Sequence, residues 1–140
     1  MYTNIGINVI TLLHDEYVIF DNIKFEDCSY IQILLDGEDI RNFIDFEDML
    51  VVYSELKKSR ELDGHYLIFT CACGVADDGG WELVKVKHDN NSIIWSFNHE
   101  MSYFFKFQKD NYLSEMKKLD LIIQSNSPLA LIPEFFIYPE

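Results

Sequence analysis

The sequence predicts an α+β domain with a mostly antiparallel sheet and two principal helices, over about residues 45–60 and 110–125. Three observations carry that prediction. Short runs of β-branched, aromatic and aliphatic residues recur along the chain, bounded by polar turn residues. Two of the boundaries, "LDGED" and "HDNN", are hairpin signals in which Asp, Gly and Asn tolerate left-handed backbone. Two segments change to the 3.6-residue period of a helix. With 140 residues, no repeats, no low-complexity tract and no Pro/Gly linker, residues 1–140 read as one domain able to bury a core.

Taken in order, "NIGINVITLL" and "EYVIF" are expected to be two strands separated by the polar "HDE". "IKFEDCSYIQILL" continues the strand pattern and "LDGED" ends it with a turn. In "DFEDMLVVYSELKKSRELDG", Phe46, Met49, Leu50, Tyr53 and Leu56 recur at helical spacing. Acids fill the first turn of that helix, Lys57, Lys58 and Arg60 the last, an order that suits the helix dipole, and Gly64 stands as a stop.

"YLIFT", "WELVKVKHD", "SIIWSFN" and "SYFFKFQ" return to strand chemistry. Lys85 and Lys87 are set against Val86, so one face of that sheet is wet. "KDNYLSEMKKLDLIIQ" is the second helix, with Asp110 as N-cap and Tyr112, Leu113, Met116, Leu119 and Ile123 as its apolar stripe. "NSP" breaks it, and the apolar tail "LALIPEFFIYPE" has to dock to stay soluble.

Charge bounds the partners. Eleven basic against twenty-four acidic residues give a formal net charge of −13. Residues 14–63 hold five basic and fourteen acidic residues (−9), and residues 64–140 hold six and ten (−4). Such a chain repels phosphate backbones and anionic membrane surfaces, and it steers basic proteins inward. No run is long and apolar enough for a membrane helix, and "MYTNIGINVITLLHDE" lacks the basic start and cleavage site of a signal peptide. Three cysteines, Cys28, Cys71 and Cys73, with two of them one residue apart, fit a reducing cytoplasm better than a disulfide framework.

The candidate chemistry is thin. A structural zinc site needs four ligands, and Cys71 and Cys73 form one knuckle that would have to recruit Cys28 and His88 from afar. Strand alternation from Phe69 turns both cysteines to the core side, where free thiols ordinarily sit. "GVADDGG" offers Asp77 and Asp78, far short of the six oxygens calcium takes. No nucleophile elbow, P-loop, metalloprotease or dinucleotide fingerprint is present. What remains is the acidic set Asp36, Glu38, Asp39, Asp45, Glu47 and Asp48. It reads either as a solvated helix entry or as a patch that pairs with lysines and arginines of a partner.

The stretch "FTCACGVADDGGWELVKVKHDNNSIIW" with "YFFKFQKDNYLSEM" resembles a group of small bacterial proteins. They share F-x-C-x-C-G, a glycine-rich turn, V-x-V-x-H, a hydrophobic-x-W step and F-x-F-x-x-x-x-Y. Those positions are Phe69, Cys71, Cys73, Gly74, Val84, Val86, His88, Ile93, Trp95, Phe105, Phe107 and Tyr112. The group often carries a further cysteine near Asp78, which this chain lacks. Small acidic proteins of this kind are similar to immunity proteins of bacterial toxin systems, contact-dependent growth inhibition included.

The resemblance implies a non-enzymatic cytoplasmic protein without cofactor. Its partner would be a basic toxin domain, for example a nuclease, and not nucleic acid or membrane. The partner-binding residues expected are Asp36, Glu38, Asp39, Asp45, Glu47 and Asp48, outside the motif stretch, because specificity needs a changeable surface. The alternatives are a zinc- or thiol-dependent protein using Cys71, Cys73 and His88, and an acidic interaction domain with a non-toxin partner.

Overall fold

The computed structural model describes residues 1–20, 23–43, 49–71, 83–99, 101–125 and 130–132. It has the expected α+β class, with antiparallel pairing dominant and two α-helices among the described residues. Three sheets among the described residues share one core. The first pairs β1 (Ile5–Phe20) with β2 (Ile23–Leu35). Beyond β2 lie the two-residue β3 (Glu38–Asp39) and, in parallel, β10 (Ala130–Ile132). The second pairs β4 (Met49–Val51) with β6 (Phe69–Cys71). The third runs β5 (Gly64–Tyr66), β7 (Val84–His88), β8 (Ser92–His99), β9 (Met101–Gln108). The helices are α1 (Tyr53–Ser59) and α2 (Lys109–Ser125).

The first sheet is apolar on both faces. Ile5, Ile7, Ile31 and Ile33 enter the main core on one side, while Leu12, Cys28 and Tyr30 form a second cluster on the other. Strand β4 stands between them: Met49 and Val51 join the main core and Leu50 the second cluster. This corrects the helix expected from about residue 45. "MLVV" is buried on both sides, and a continuous apolar run with β-branched residues suits a fully buried strand better than a helix stripe. The helix begins only at Tyr53, after Val52 donates its N–H to Ile68 O at 2.8 Å. Its first turn carries Glu55 and its last Lys57 and Lys58. Gly64, expected as a helix stop, instead opens β5.

Two further expectations shift. "NIGINVITLL" and "EYVIF" are one strand, kinked where "HDE" interrupts the register between Leu12 and Tyr17. "YLIFT" is divided between β5 and β6, with buried Leu67 and Ile68 joining them. Helix α2 covers the predicted span, with Tyr112, Met116 and Leu119 buried. Leu113 is exposed, and Asp110 lies in the first turn, since the helix starts at Lys109. Trp81, Cys73, Asp77, Asp78, Asp45, Glu47, Asp48 and the tail "FFIYPE" lie outside the described residues.

The centre of the core is aromatic. Trp95 is fully buried and meets Phe69, Phe107 and Tyr112 edge-on at ring-centroid distances of 5.8, 5.0 and 6.0 Å. Its indole N–H donates to the Tyr112 hydroxyl at 3.3 Å. Ser59 Oγ donates to Leu56 O, so the 2.6 Å contact between Ser59 and Tyr112 has the phenol as donor. The chain Trp95, Tyr112, Ser59, Leu56 is thus satisfied at every step, and it binds β8 to both helices.

Helix α2 also closes the outer edge of β1. The Asn111 amide accepts from Ile5 N at 2.9 Å and donates to Ile5 O at 3.1 Å, as a neighbouring strand would. One turn on, Glu115 accepts from Ile7 N at 2.8 Å. Asn111→Ala would leave both backbone groups of a buried residue without partners. A loss of about 1–3 kcal/mol is expected in urea unfolding, with Asn111→Asp recovering only the acceptor half. An unchanged midpoint in the alanine variant would show that water replaces the amide.

Candidate functional site

The expected acidic set is divided. Asp36 and Gly37 form the β2–β3 turn with φ of 52° and 84°, the left-handed pair of a two-residue hairpin. The Asp36 carboxylate accepts from Asn4 N at 2.8 Å, and its own N–H returns a bond to Asn4 O. Asp39 accepts from Arg41 N at 2.9 Å, capping the short 3-10 turn Ile40–Asn42, and from Gln32 Nε2 at 2.8 Å. The Arg41 guanidinium donates to Met49 O and stacks 4.6 Å from the Tyr30 ring. Asp36 and Asp39 therefore hold the fold together locally. Glu38 is exposed between them, and the remaining three acids are outside the described residues.

Of the alternative set, the described residues include His88 and the backbone of Cys71. The backbone of Cys71 pairs with Met49, but its side chain and all of Cys73 lie outside the described residues. His88 Nε2 stands 2.8 Å from Ser59 O. A carbonyl only accepts, so that nitrogen carries the proton and caps the C-terminal end of α1. Cys28 is buried in the second cluster; burial pushes its thiol up, with Asp27 adding to the effect, so it is held as a poor nucleophile. Among the described residues no three His, Cys, Asp or Glu side chains are placed to hold a metal ion.

The two helices are linked by a part-buried ion pair. Asp120 accepts from Tyr53 OH and from Arg60 Nη1. Burial raises the Asp120 carboxyl, but these two hydrogen bonds and the Arg60 and Lys57 charges outweigh it and hold it below the usual range. On the same α1, Glu55 is buried and accepts from Leu67 N at 2.9 Å, with Lys58 3.3 Å away. These acids fix α1 against its surroundings and leave no free carboxylate for chemistry there.

What the sequence reading missed is the far half of the β1–β2 hairpin. Registers jump from Leu12↔Cys28 to Tyr17↔Glu26, so four residues of β1 oppose Asp27 alone. Asp15 and Asp27 take up the bulge with φ of 77° and 51°. Glu16 accepts from Leu13 N at 2.9 Å and fixes the bulged loop. Beyond this point the hairpin has no further strand beside it among the described residues. One face of this arm packs Val18 and Phe25 onto the second cluster. The other exposes Tyr17 and Ile19, 57 and 58 %, next to Leu13 at 59 %.

Around those apolar side chains stand Asp15, Glu16, Glu26 and Asp27, all exposed. One cation, Lys24, lies 3.7 Å from Glu26 and 4.9 Å from the Tyr17 ring. An apolar centre containing a tyrosine, with a predominantly acidic rim, is the composition of a protein-binding surface. The signal was present in the sequence. "HDE" and "EDC" are acidic interruptions in two otherwise apolar runs, and pairing brings them together.

No family model, curated protein or solved structure matches the chain. The arm therefore has to be interpreted from its own chemistry. No helix among the described residues is long and apolar enough to cross a membrane.

Proposed function

We propose that this chain is a non-catalytic immunity protein. It binds and neutralises, in the cytoplasm, the C-terminal toxin domain of a contact-dependent inhibition or related bacterial toxin system. The observation that carries the reading is the arm: Leu13, Tyr17 and Ile19 exposed among Asp15, Glu16, Glu26 and Asp27. The carboxylates steer a basic domain such as a nuclease and meet the lysines or arginines that would otherwise contact phosphate. Tyr17 and Ile19 supply the desolvated anchors that set the off-rate. Glu38, at the other end of the same hairpin sheet, adds to the field.

The test is co-expression with the C-terminal toxin domain encoded beside this chain, read as cell survival and as binding of the purified pair. Wild type is expected to rescue. Tyr17→Ala combined with Ile19→Ser and Glu26→Lys is expected to weaken binding by at least about 100-fold, with an unchanged circular dichroism spectrum. Neither rescue nor binding by wild type would end the proposal. Full rescue by the triple variant would move the site off the arm.

A further inference from the structure

The chain's charge is not merely negative; it is sorted. The four strands β5, β7, β8 and β9 together hold 24 residues, among them three lysines and no Asp or Glu. Those residues carry +3, so the other 116 carry −16, and the two together give the net −13. The lysines also share a face. Val86, Trp95, Phe105 and their neighbours point into the core, and the opposite face presents Lys85, Lys87 and Lys106 with His65.

Register fixes their layout. One row across the sheet reads His65, Lys85, Ser96, Phe104, and the next reads Lys87, Ile94, Lys106. Lys85 and Lys87 are two residues apart on one strand, about 7 Å, and Lys106 is two strand spacings from Lys87, about 10 Å. Apolar contacts lie among them: Phe104 is 66 % exposed, Leu83 46 %, and Ile94 is partly so.

Several cations elsewhere in the chain stand beside carboxylates. Lys24, Lys58, Arg60 and Lys118 each lie within 4.0 Å of one. Among the described residues Lys85 and Lys87 have no carboxylate within that distance, and Lys106 rests on the Tyr2 ring at 5.3 Å. Two carboxylates border the face. Asp63 lines a cleft of about 380 Å³ with His65, Lys85 and Lys87, but its Oδ1 is taken by His88 N at 2.7 Å. Asp89 lines a cleft of about 570 Å³ beside Lys106 and Lys109 at the opposite margin.

We propose that the solvent face of this sheet is a second docking surface, which takes an acidic segment of a partner protein with carboxylates about 7–10 Å apart around an apolar side chain. Charge complementarity selects that occupant. Three lysines rooted on one sheet face, bordered by only two carboxylates among the described residues, leave positive charge there that a partner's acids can pair with. The overall −13 does not prevent this, because at physiological salt the field is screened over about 8 Å and the patch is met locally. The same net charge disfavours a long polyanion, which would run off the face onto acidic surface, so a protein segment is chosen over nucleic acid. The inference does not depend on the immunity reading, and the arm lies on another sheet.

The experiment measures fluorescence anisotropy of a labelled peptide, three glutamates either side of a leucine, with the full chain at 50 and 150 mM salt. Saturable, salt-weakened binding is expected. Lys85→Glu with Lys87→Glu should weaken it at least tenfold. Lys57→Glu with Lys117→Glu, an equal change in net charge on the helices, should have less than a twofold effect, as should Tyr17→Ala on the arm. Both lysines of the test pair are exposed, so the double variant is expected to keep the wild-type melting curve. Absence of peptide binding by wild type would overturn the proposal, as would equal loss in the two charge-reversed pairs. Displacement of the peptide by single-stranded polyuridylate at lower concentration would overturn it in favour of nucleic acid.

Discussion

Replacing Trp95 with alanine is expected to cost about 3–5 kcal/mol of folding free energy, much of what a domain of this size has to spend. The cost has two parts. The larger is packing: the indole is fully buried against Phe69, Phe107 and Tyr112, and none of these edge-on rings can swing into its space without losing its own contacts. The smaller is polar: the Tyr112 hydroxyl loses the donor that completes its bonding. Trp95→Phe keeps most of the ring contact and should cost markedly less. Urea unfolding followed by circular dichroism measures both. A loss under about 1 kcal/mol in the alanine variant would mean that the core collapses around the gap, and that this cluster does not organise the fold.

The second large effect is alkaline destabilisation. Burial pushes the Tyr112 phenol up to about 12 against the bond it accepts from Trp95, and the unfolded chain ionises near 10. A folded pKa above the unfolded one means stability that is complete below pH 10 and drains as pH rises towards 12. The slope is about 1.4 kcal/mol per pH unit for this one group. Tyr53, also raised to about 12 by burial and by its bond to Asp120, acts in the same direction. Urea midpoints should therefore hold steady up to about pH 9.5 and fall steeply beyond it. Tyr112→Phe is expected to be less stable at neutral pH, because the Trp95 N–H and Ser59 hydroxyl lose a partner, yet flatter between pH 10 and 12. An unchanged slope in that variant would show that Tyr112 ionises without unfolding.

Legibility followed locality. Helix α2 was readable because one stripe, Tyr112, Met116 and Leu119, faces the core, and Leu113, Ser114, Lys117, Lys118 and Leu121 are exposed. The β2–β3 and β7–β8 turns were readable because Asp-Gly and Asp-Asn-Asn carry their backbone preference in the residues themselves. "MLVV" was not, because it is buried on both faces, and periodicity distinguishes nothing where every position is apolar. Two of the acidic candidates, Asp36 and Asp39, have structural roles that were not legible for a different reason. An acid in a list looks available, but Asp36 and Asp39 are consumed by backbone N–H groups of Asn4 and Arg41, partners that only folding supplies.

By itself, then, the sequence determined the class of the fold, its second helix, its hairpin turns and the sign of its charge. Each depends on the spacing of residue types along a few turns of chain. The tertiary structure alone decided where the charge acts. Strand register brings "HDE" against "EDC" to make an acidic, apolar-centred arm. It also places Lys85, Lys87 and Lys106 on one carboxylate-poor sheet face. Surface electrostatics depends on separations of a few ångströms between residues far apart in sequence, and composition holds the total but not the map.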